Sequence, residues 1–153
     1  NDTAPTSSVF SVGNNNTNRS GENYIAYCFV EKTGYSKFGS YTGNGNDDGT
    51  FVYTGFAPAF LLLKETSAGT NDSWFIVDNK RNTYNPRSKN LRPNNTDAEA
   101  DSAWMIVDFL SNGFKINDDD ASINESGKNY IYMAFAAEPL VANVGSSIPA
   151  TAK

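Results

Sequence analysis

The apolar residues of this chain come in short runs that are separated by clusters of Gly, Asn, Asp and Ser. Aromatic residues are frequent in the runs, since the chain holds ten Phe, eight Tyr and two Trp. Short runs of aromatic and β-branched residues between such clusters are typical of β-strands joined by turns. None approaches the roughly 18 apolar residues that a transmembrane helix needs, so we expect no membrane insertion. The sequence therefore predicts an all-β fold, an antiparallel two-sheet β-sandwich.

Individual strands are located by the apolar runs and by the turns that bound them. Residues 59–64 (AFLLLK) are apolar on both faces and predict a central strand that is covered on both sides. Residues 109–110 and 114–117 flank the turn Ser111-Asn112-Gly113 and predict a hairpin. Residues 97–104 allow one or two helical turns. The other predicted strands are residues 24–30, 35–42, 51–53, 74–78, 104–108 and 130–136.

Two segments of the chain repeat one another. SGENYIAYCFVEKT begins at Ser20 and SGKNYIYMAFAAEP begins at Ser126, and six of their first ten positions coincide. If both copies are strands, they can pair as neighbours in one sheet. Alternatively, the first copy is the tail of a preceding domain in a tandem array. Chance is a poor explanation for six identical residues in ten aligned positions.

The repeat and the composition divide the chain into three parts. Residues 1–23 are polar and of low complexity, which predicts a linker or the end of a preceding module. Residues 24–139 predict the sandwich domain, and residues 140–153 predict a polar tail. The chain begins without Met, so we expect it to be a piece of a longer protein.

Histidine is absent and Cys28 is the single cysteine. A Ser-His-Asp triad, a Cys-His dyad and an ordinary zinc site are therefore excluded, and no internal disulfide can form. In the repeat Cys28 aligns with Ala134, which indicates a small apolar packing position and not a reactive thiol. The net charge of −5 argues against a nucleic-acid binder, which would need a basic surface.

Paired carboxylates are the remaining route to hydrolysis, because two acids across a sugar can cleave a glycosidic bond. Asp78 and Asp108 are the best candidates, since each ends a W-x-I-V-D run. An Asp at the end of a strand more often caps a turn through hydrogen bonds to nearby main chain. We therefore expect the protein not to be an enzyme.

The acidic turns raise the possibility of bound calcium. Residues 44–49 (NGNDDG) imitate the opening of a calcium loop, but position twelve, where an EF-hand has a bidentate Glu, is Gly55. A looser Ca²⁺ site formed by Asp47, Asp48, Asp118 and Asp120 remains a hypothesis, because hard cations prefer clustered oxygens. The alternative is that these acids lie in solvated loops. No other cofactor is predicted.

The most distinctive polar stretch is residues 79–96, which carry five basic residues and no acid. A long polar loop in a compact domain tends to be functional. Arg offers planar donors to carboxylate or phosphate groups, and Tyr offers a flat face to a sugar ring or a base. One interpretation is a surface for an acidic partner such as an anionic polysaccharide; the other is that the bases neutralise acids of the same domain or of a neighbouring protomer. The candidate ligand-binding residues are Arg81, Tyr84, Arg87, Lys89 and Arg92.

Five motifs together carry a resemblance to a known family. They are YCFVEKTGYSKFGSYTGNGNDDGTFVYTGFAPAFLLLK, DNKRNTYNP, LRPNNTDAEA, DFLSNGFK and NYIYMAFAAEP, which span most of residues 24–139. In combination they resemble a domain that is repeated in marine bacteriophage tail fibres and other virion proteins. The resemblance implies a concanavalin-like or SPRY-like jelly-roll sandwich. It supplies no agreed catalytic or ligand-binding residue.

The resemblance also implies a setting and partners. It implies a virion surface appendage that binds host-surface carbohydrate and contacts other virion proteins. It also implies a homo-oligomer of three chains, since fibres are usually trimeric. The alternatives are a purely structural fibre or capsid-decoration module, an extracellular adhesin or filament subunit, and a polysaccharide depolymerase.

Overall fold

The computed structural model describes residues 3–13, 16–67 and 73–138. The predicted polar tail, residues 140–153, lies outside this part of the chain. The described elements are β1 (Ser36–Thr42), β2 (Phe51–Tyr53), β3 (Pro58–Glu65), β4 (Phe75–Asp78), β5 (Lys89–Asn90), β6 (Ala100–Asp101), β7 (Val107–Leu110), β8 (Gly113–Ile116), α1 (Ala121–Asn124) and β9 (Asn129–Ala136).

The strands form antiparallel sheets, which confirms the predicted all-β fold. The largest sheet, here called the main sheet, has the order β1-β9-β3-β4. A second sheet has the order β2-β8-β7, and β5 and β6 form a two-stranded ribbon. The last strand in the chain thus lies near the centre of the main sheet, between β1 and β3. No helix in the described residues is long and apolar enough to cross a membrane.

One hydrophobic core joins the main sheet to the three-stranded sheet, as in a β-sandwich. The Phe114 ring of β8 packs edge-on against Tyr41 of β1 and Tyr132 of β9, with ring centroids 6.1 and 5.3 Å apart. Tyr41 also stacks on Tyr130 at 5.0 Å. All of these rings are buried. Tyr130 and Tyr132 point to the same side of β9 because alternate residues of a strand share a face.

The predicted central strand is confirmed, but only one of its faces is fully covered. Within β3, Leu61 and Leu63 are inaccessible to solvent, whereas Phe60 and Leu62 are half-buried on the opposite, outer face. The outer face of the main sheet is therefore apolar and partly exposed.

The predicted hairpin is confirmed as β7 and β8. Leu110 pairs with Gly113, so Ser111 and Asn112 alone form the turn. Gly113 opens β8 beneath β2, and a Cβ at this position would overlap the carbonyl oxygen of Val52. The residue is Gly because the neighbouring main chain leaves no room for a side chain.

Two of the predicted strands and the predicted helical turns are wrong. Residues 24–30 form no strand and are exposed. In the run at residues 104–108, Trp104 lies in a turn and pairing begins only at Val107. Residues 97–104 are not helical and contain β6, and the short helix α1 was not predicted.

The hypothesis that both copies of the repeat pair as neighbouring strands is also wrong. Only the second copy is a strand, β9, and it already occupies the place between β1 and β3. The first copy reaches the main sheet at one end, where the Phe29 ring lies 6.3 Å from Phe38 and 5.8 Å from Phe135. A tight turn follows, in which Lys32 pairs with Ser36 at the start of β1.

Candidate functional site

The basic segment, residues 79–96, begins with a turn that Asp78 stabilises at the end of β4. One carboxylate oxygen of Asp78 accepts hydrogen bonds from the main-chain N–H groups of Lys80 and Arg81, both at 2.8 Å. This is the capping role that is common for Asp at a strand end. The turn fixes the direction in which the Lys80 and Arg81 side chains leave the sheet.

Arg81 is held between two carboxylates. Its guanidinium forms an ion pair with Asp78, and its Nε lies 2.9 Å from Oε2 of Glu99. The other Glu99 oxygen lies 3.8 Å from the Lys89 ammonium. The pairing of β5 with β6 brings Glu99 to this place, because Glu99 directly precedes β6 and Lys89 begins β5. The planar guanidinium is thus oriented without any ligand.

A cleft of about 680 Å³ opens beside this ion-pair network. Phe60 of β3 stands directly opposite Asp78 in the sheet, so an aromatic ring adjoins the charged groups. The volume lies within the range of about 300–1,000 Å³ that is usual for small-ligand sites. The described residues that line it are Ala59, Phe60, Asp78, Asn79, Lys80, Arg81 and Glu99.

Arg87, a predicted ligand-binding residue, is used inside the domain. Its side chain is buried, its guanidinium lies 4.6 Å from the centre of the Phe109 ring, and it donates a hydrogen bond to the carbonyl of Asn82. Burial lowers the pKa of Arg87, while the charge of Asp108 opposes that change. The residue supports the loop from within and does not face solvent.

Arg92, also predicted to bind ligand, has intramolecular partners as well. It forms an ion pair of 3.3 Å with Asp97, and its guanidinium lies 5.5 Å from the Phe75 ring and 5.4 Å from the Trp104 ring. Arg81, Lys89 and Arg92 thus all pair with acids of the same domain, as the second interpretation of this segment proposed. Ligand binding by the segment stays a prediction.

Tyr84 is the one predicted ligand-binding residue that is almost fully exposed, at 83%. It sits in a loop that its neighbours hold in place. Asn82 accepts hydrogen bonds from the N–H groups of Ser88 and Lys89, and the Asn85 side chain bonds both main-chain groups of Phe109. The phenol of Tyr84 therefore faces solvent from a loop that these hydrogen bonds hold in place.

The two acidic turns that were predicted to bind calcium come together around a buried Asn. Asn124 is inaccessible to solvent, and its side chain donates to the carbonyls of Asn46 and Asp118 at 2.9 and 2.8 Å. Burial raises the pKa of Asp118, and repulsion from Asp47, Asp119 and Asp120 adds to the rise.

The other acids of these turns have partners. Asp48 pairs with Lys115, which lowers the pKa of Asp48, and Asp120 caps α1 by accepting from the Ser122 N–H at 2.8 Å. Within the described part of the chain, no three Asp, Glu, Cys or His side chains are grouped so that they could hold a metal ion. Calcium binding by these turns stays a prediction, because Ca²⁺ also takes main-chain and Asn oxygens as ligands.

The two candidate catalytic carboxylates lie in different sheets and have structural partners: Asp78 ends β4, whereas Asp108 is the second residue of β7. Asp78 caps its turn and pairs with Arg81, while Asp108 of β7 accepts a hydrogen bond of 2.7 Å from the Asn117 side chain. Neither carboxylate has the other as a partner in the cleft. Asp78 is instead a wall of the cleft beside Arg81.

Five residues of the cleft were not among the predicted site residues: Ala59, Phe60, Asn79, Lys80 and Glu99. The Asp-Asn-Lys-Arg sequence after β4 was a usable signal for Lys80, because Asp followed by polar residues favours a turn. Glu99 reaches Arg81 only because β5 and β6 pair across nine intervening residues, and no local pattern indicates that pairing.

Comparison with known families gives one match. The model of a family described as "Domain of unknown function (DUF7483)" matches residues 1–139. The chain belongs to this family. The match includes the first copy of the repeat as well as the two sheets. No curated protein and no solved structure matches the chain.

Proposed function

We propose that this domain binds carbohydrate of a host-cell surface, in the cleft beside Arg81, and is not an enzyme. The observation that carries the proposal is the guanidinium of Arg81, which Asp78 and Glu99 hold in the cleft close to Phe60. Sugars present rows of hydroxyls and an apolar ring face. A fixed set of donors and acceptors beside an aromatic ring is complementary to both.

The proposed ligand is an acidic polysaccharide. Lys80 lines the cleft and is exposed, so its ammonium adds positive charge to that of Arg81. A uronate carboxylate or a sulfate ester would receive hydrogen bonds from these groups, while neighbouring hydroxyls would donate to Asp78 and Glu99. Single contacts of this kind are weak, and display of several domains would raise the apparent affinity.

The proposed setting is a virion, in a tail fibre or related surface appendage. Support for it comes from the five motifs in residues 24–139 and their resemblance to repeated domains of marine bacteriophage fibres. In such an appendage the domain would contact other virion proteins and form a homo-oligomer of three chains, which would supply the multivalency.

The test is binding of the purified protein to an immobilised panel of uronic-acid polysaccharides, sulfated polysaccharides and neutral dextran. The decisive comparison is Arg81→Ala against Arg92→Ala, since both remove one ion-paired Arg from the same segment but only Arg81 lines the cleft. We expect Arg81→Ala to weaken binding at least tenfold and Arg92→Ala to leave it within about twofold. Circular dichroism on both variants checks that the fold is kept.

Three outcomes would contradict the proposal. Binding to no member of the panel, even with the protein displayed at high density on beads, would remove it. Equal loss in both variants would move the contacts from the cleft to the whole basic segment. Release of reducing ends from a polysaccharide would make the protein a depolymerase.

A purely structural fibre or capsid-decoration module is the second candidate. It is favoured by the apolar surface of residues 24–30, of which Ile25 and Tyr27 are about four-fifths exposed. Such a surface is typical of a contact between proteins.

A further inference from the structure

Residues 24–30, here called the arm, are the most exposed apolar segment in the described part of the chain. Ile25, Tyr27 and Val30 are 81, 80 and 78% exposed. The arm carries no charged residue, although the chain as a whole has a net charge of −5. Contiguous apolar residues of this kind on a polar protein mark an interaction surface.

A groove of about 520 Å³ on the outer face of the main sheet is the matching feature. Its side-chain lining comes from three neighbouring strands and from the residue before β4. None of the described residues that line the groove is charged. The side chains that form it are Phe38, Ser40, Leu62, Trp74, Ile131 and Met133.

The arm and the groove wall carry the same pattern. In the repeat, Ile25, Tyr27 and Phe29 align with Ile131, Met133 and Phe135 of β9, whose side chains point to the outer face. In an extended arm, residues 25, 27 and 29 share one side. Phe29 already packs on Phe38 and Phe135 at the end of this face, whereas the side chains of Ile25 and Tyr27 are exposed to solvent.

We propose that the arm of one chain lies in the outer-face groove of a second copy of the same chain, with Ile25 and Tyr27 filling the space between Phe38, Leu62, Ile131 and Met133. Each copy presents both the arm and the groove, so the contact closes by reciprocal exchange in a dimer or in a ring.

The size of the contact suits a specific assembly. Each arm presents Ile25 and Tyr27 to the groove, and an aromatic side chain alone buries about 150–250 Å². Two arms with the grooves that receive them therefore reach the roughly 1,000 Å² that a specific interface needs. An uncharged arm in an uncharged groove also avoids bringing like charges of two acidic chains together.

The first experiment measures molar mass by light scattering over a concentration series. We expect the wild-type protein to associate, and the double variant Ile25→Asp, Tyr27→Asp to raise the dissociation constant at least tenfold. The matched control is Tyr84→Asp, because Tyr84 is as exposed as Tyr27 but lies in the basic segment. A wild-type protein that stays monomeric at the highest concentration, or an equal effect of Tyr84→Asp, would overturn the proposal.

The second experiment locates the arm by disulfide crosslinking in a background with Cys28→Ser. A chain with Tyr27→Cys is mixed with a chain with Ser40→Cys and oxidised with copper phenanthroline, which forms a disulfide only if the two Cα atoms come within about 7 Å. We expect an interchain product, and none when Tyr84→Cys replaces Ser40→Cys. An intrachain disulfide in a monomer that carries both Tyr27→Cys and Ser40→Cys would show that the arm covers its own groove, and would overturn the exchange. Neither experiment depends on glycan binding.

Discussion

The arm and β9 have closely similar sequences and opposite environments. Residues 24–30 are exposed and form no strand, whereas β9 pairs along both of its edges, with β1 and with β3. Tyr24 is half-exposed, and its hydroxyl accepts a hydrogen bond from the Arg19 N–H at 2.9 Å. The matching Tyr130 is fully buried, donates to the Ala121 carbonyl at 2.7 Å and accepts from the Glu125 N–H at 2.9 Å.

The difference shows that strand propensity alone does not decide which segment becomes a strand. Both copies alternate well enough to form a strand. The main sheet has one place between β1 and β3, and its core side has one position at which a tyrosine can stack on Tyr41. β9 fills both, so the arm keeps a strand pattern but pairs with no strand in the described part of the chain.

The largest effect is expected from a charge at the small position that the two copies share. Ala134→Asp places an unpaired carboxylate where solvent has no access, which costs about 4 kcal/mol or more and unfolds most of the protein. Cys28→Asp is the control at the matching position, and because Cys28 is exposed its effect should stay within about 0.5 kcal/mol. Urea titration of both variants measures the difference. Equal destabilisation would mean that the arm is as essential to the fold as β9.

Local pattern was enough to predict most strands of the two large sheets. β1, β2, β3, β4 and β9 lie within two residues of their predicted bounds, because alternation and flanking turn residues act over a few neighbours. The same reasoning predicted a strand for the arm and was wrong. Whether the arm or β9 occupies the place between β1 and β3 depends on contacts that only the folded sheet provides.

The candidate site was less predictable. Arg81 could be selected from composition, but its two carboxylate partners come from β4 and from the residue before β6. Arg87 was selected for the same reason, and it is buried over Phe109 because it pairs with Val107 at the edge of the three-stranded sheet. Whether a basic residue faces solvent or the core is set by such long-range pairing, which a single sequence does not display.

A second comparison concerns the two phenylalanines that the repeat aligns. Phe135 packs against Tyr35, Phe38 and Phe60 at one end of the outer face, whereas Phe29 reaches that cluster from the arm. Phe135→Ala is expected to lower the free energy of unfolding by about 2–3 kcal/mol, because the ring is half-buried. Phe29→Ala should lower it by less than about 1 kcal/mol. Thermal unfolding of the two variants side by side would refute the comparison if Phe29→Ala were the more damaging.

The two aligned tyrosines give a smaller and more selective effect. Tyr130→Phe removes one hydroxyl and leaves the Ala121 carbonyl and the Glu125 N–H without that partner, so we expect a loss of about 1–2 kcal/mol. Tyr24→Phe removes a hydroxyl whose partner can turn to water, and its effect should stay below about 0.5 kcal/mol. Chemical denaturation at pH 8 measures both. A loss in Tyr24→Phe equal to that in Tyr130→Phe would indicate that the arm's hydroxyl is also buried, as in an associated form.

The smallest expected effect is the pH dependence of the stability difference between the wild-type protein and Tyr130→Phe. Burial raises the pKa of Tyr130 to about 12 from a usual value near 10. Because the raised value means that the folded state holds this proton more tightly than the unfolded state, the stabilisation is complete below about pH 10 and is lost as pH rises through about 12. The stability gap between wild type and Tyr130→Phe should therefore narrow over this window, since the variant has no proton to lose there. The other titrating groups are common to both chains and cancel in the comparison, except for Tyr41, whose pKa is raised by burial and also by Tyr130. A gap that stays constant from pH 8 to pH 12 would mean that Tyr130 ionises as readily in the folded protein as in the unfolded chain. Its burial near the start of β9 would then not be what separates it from Tyr24.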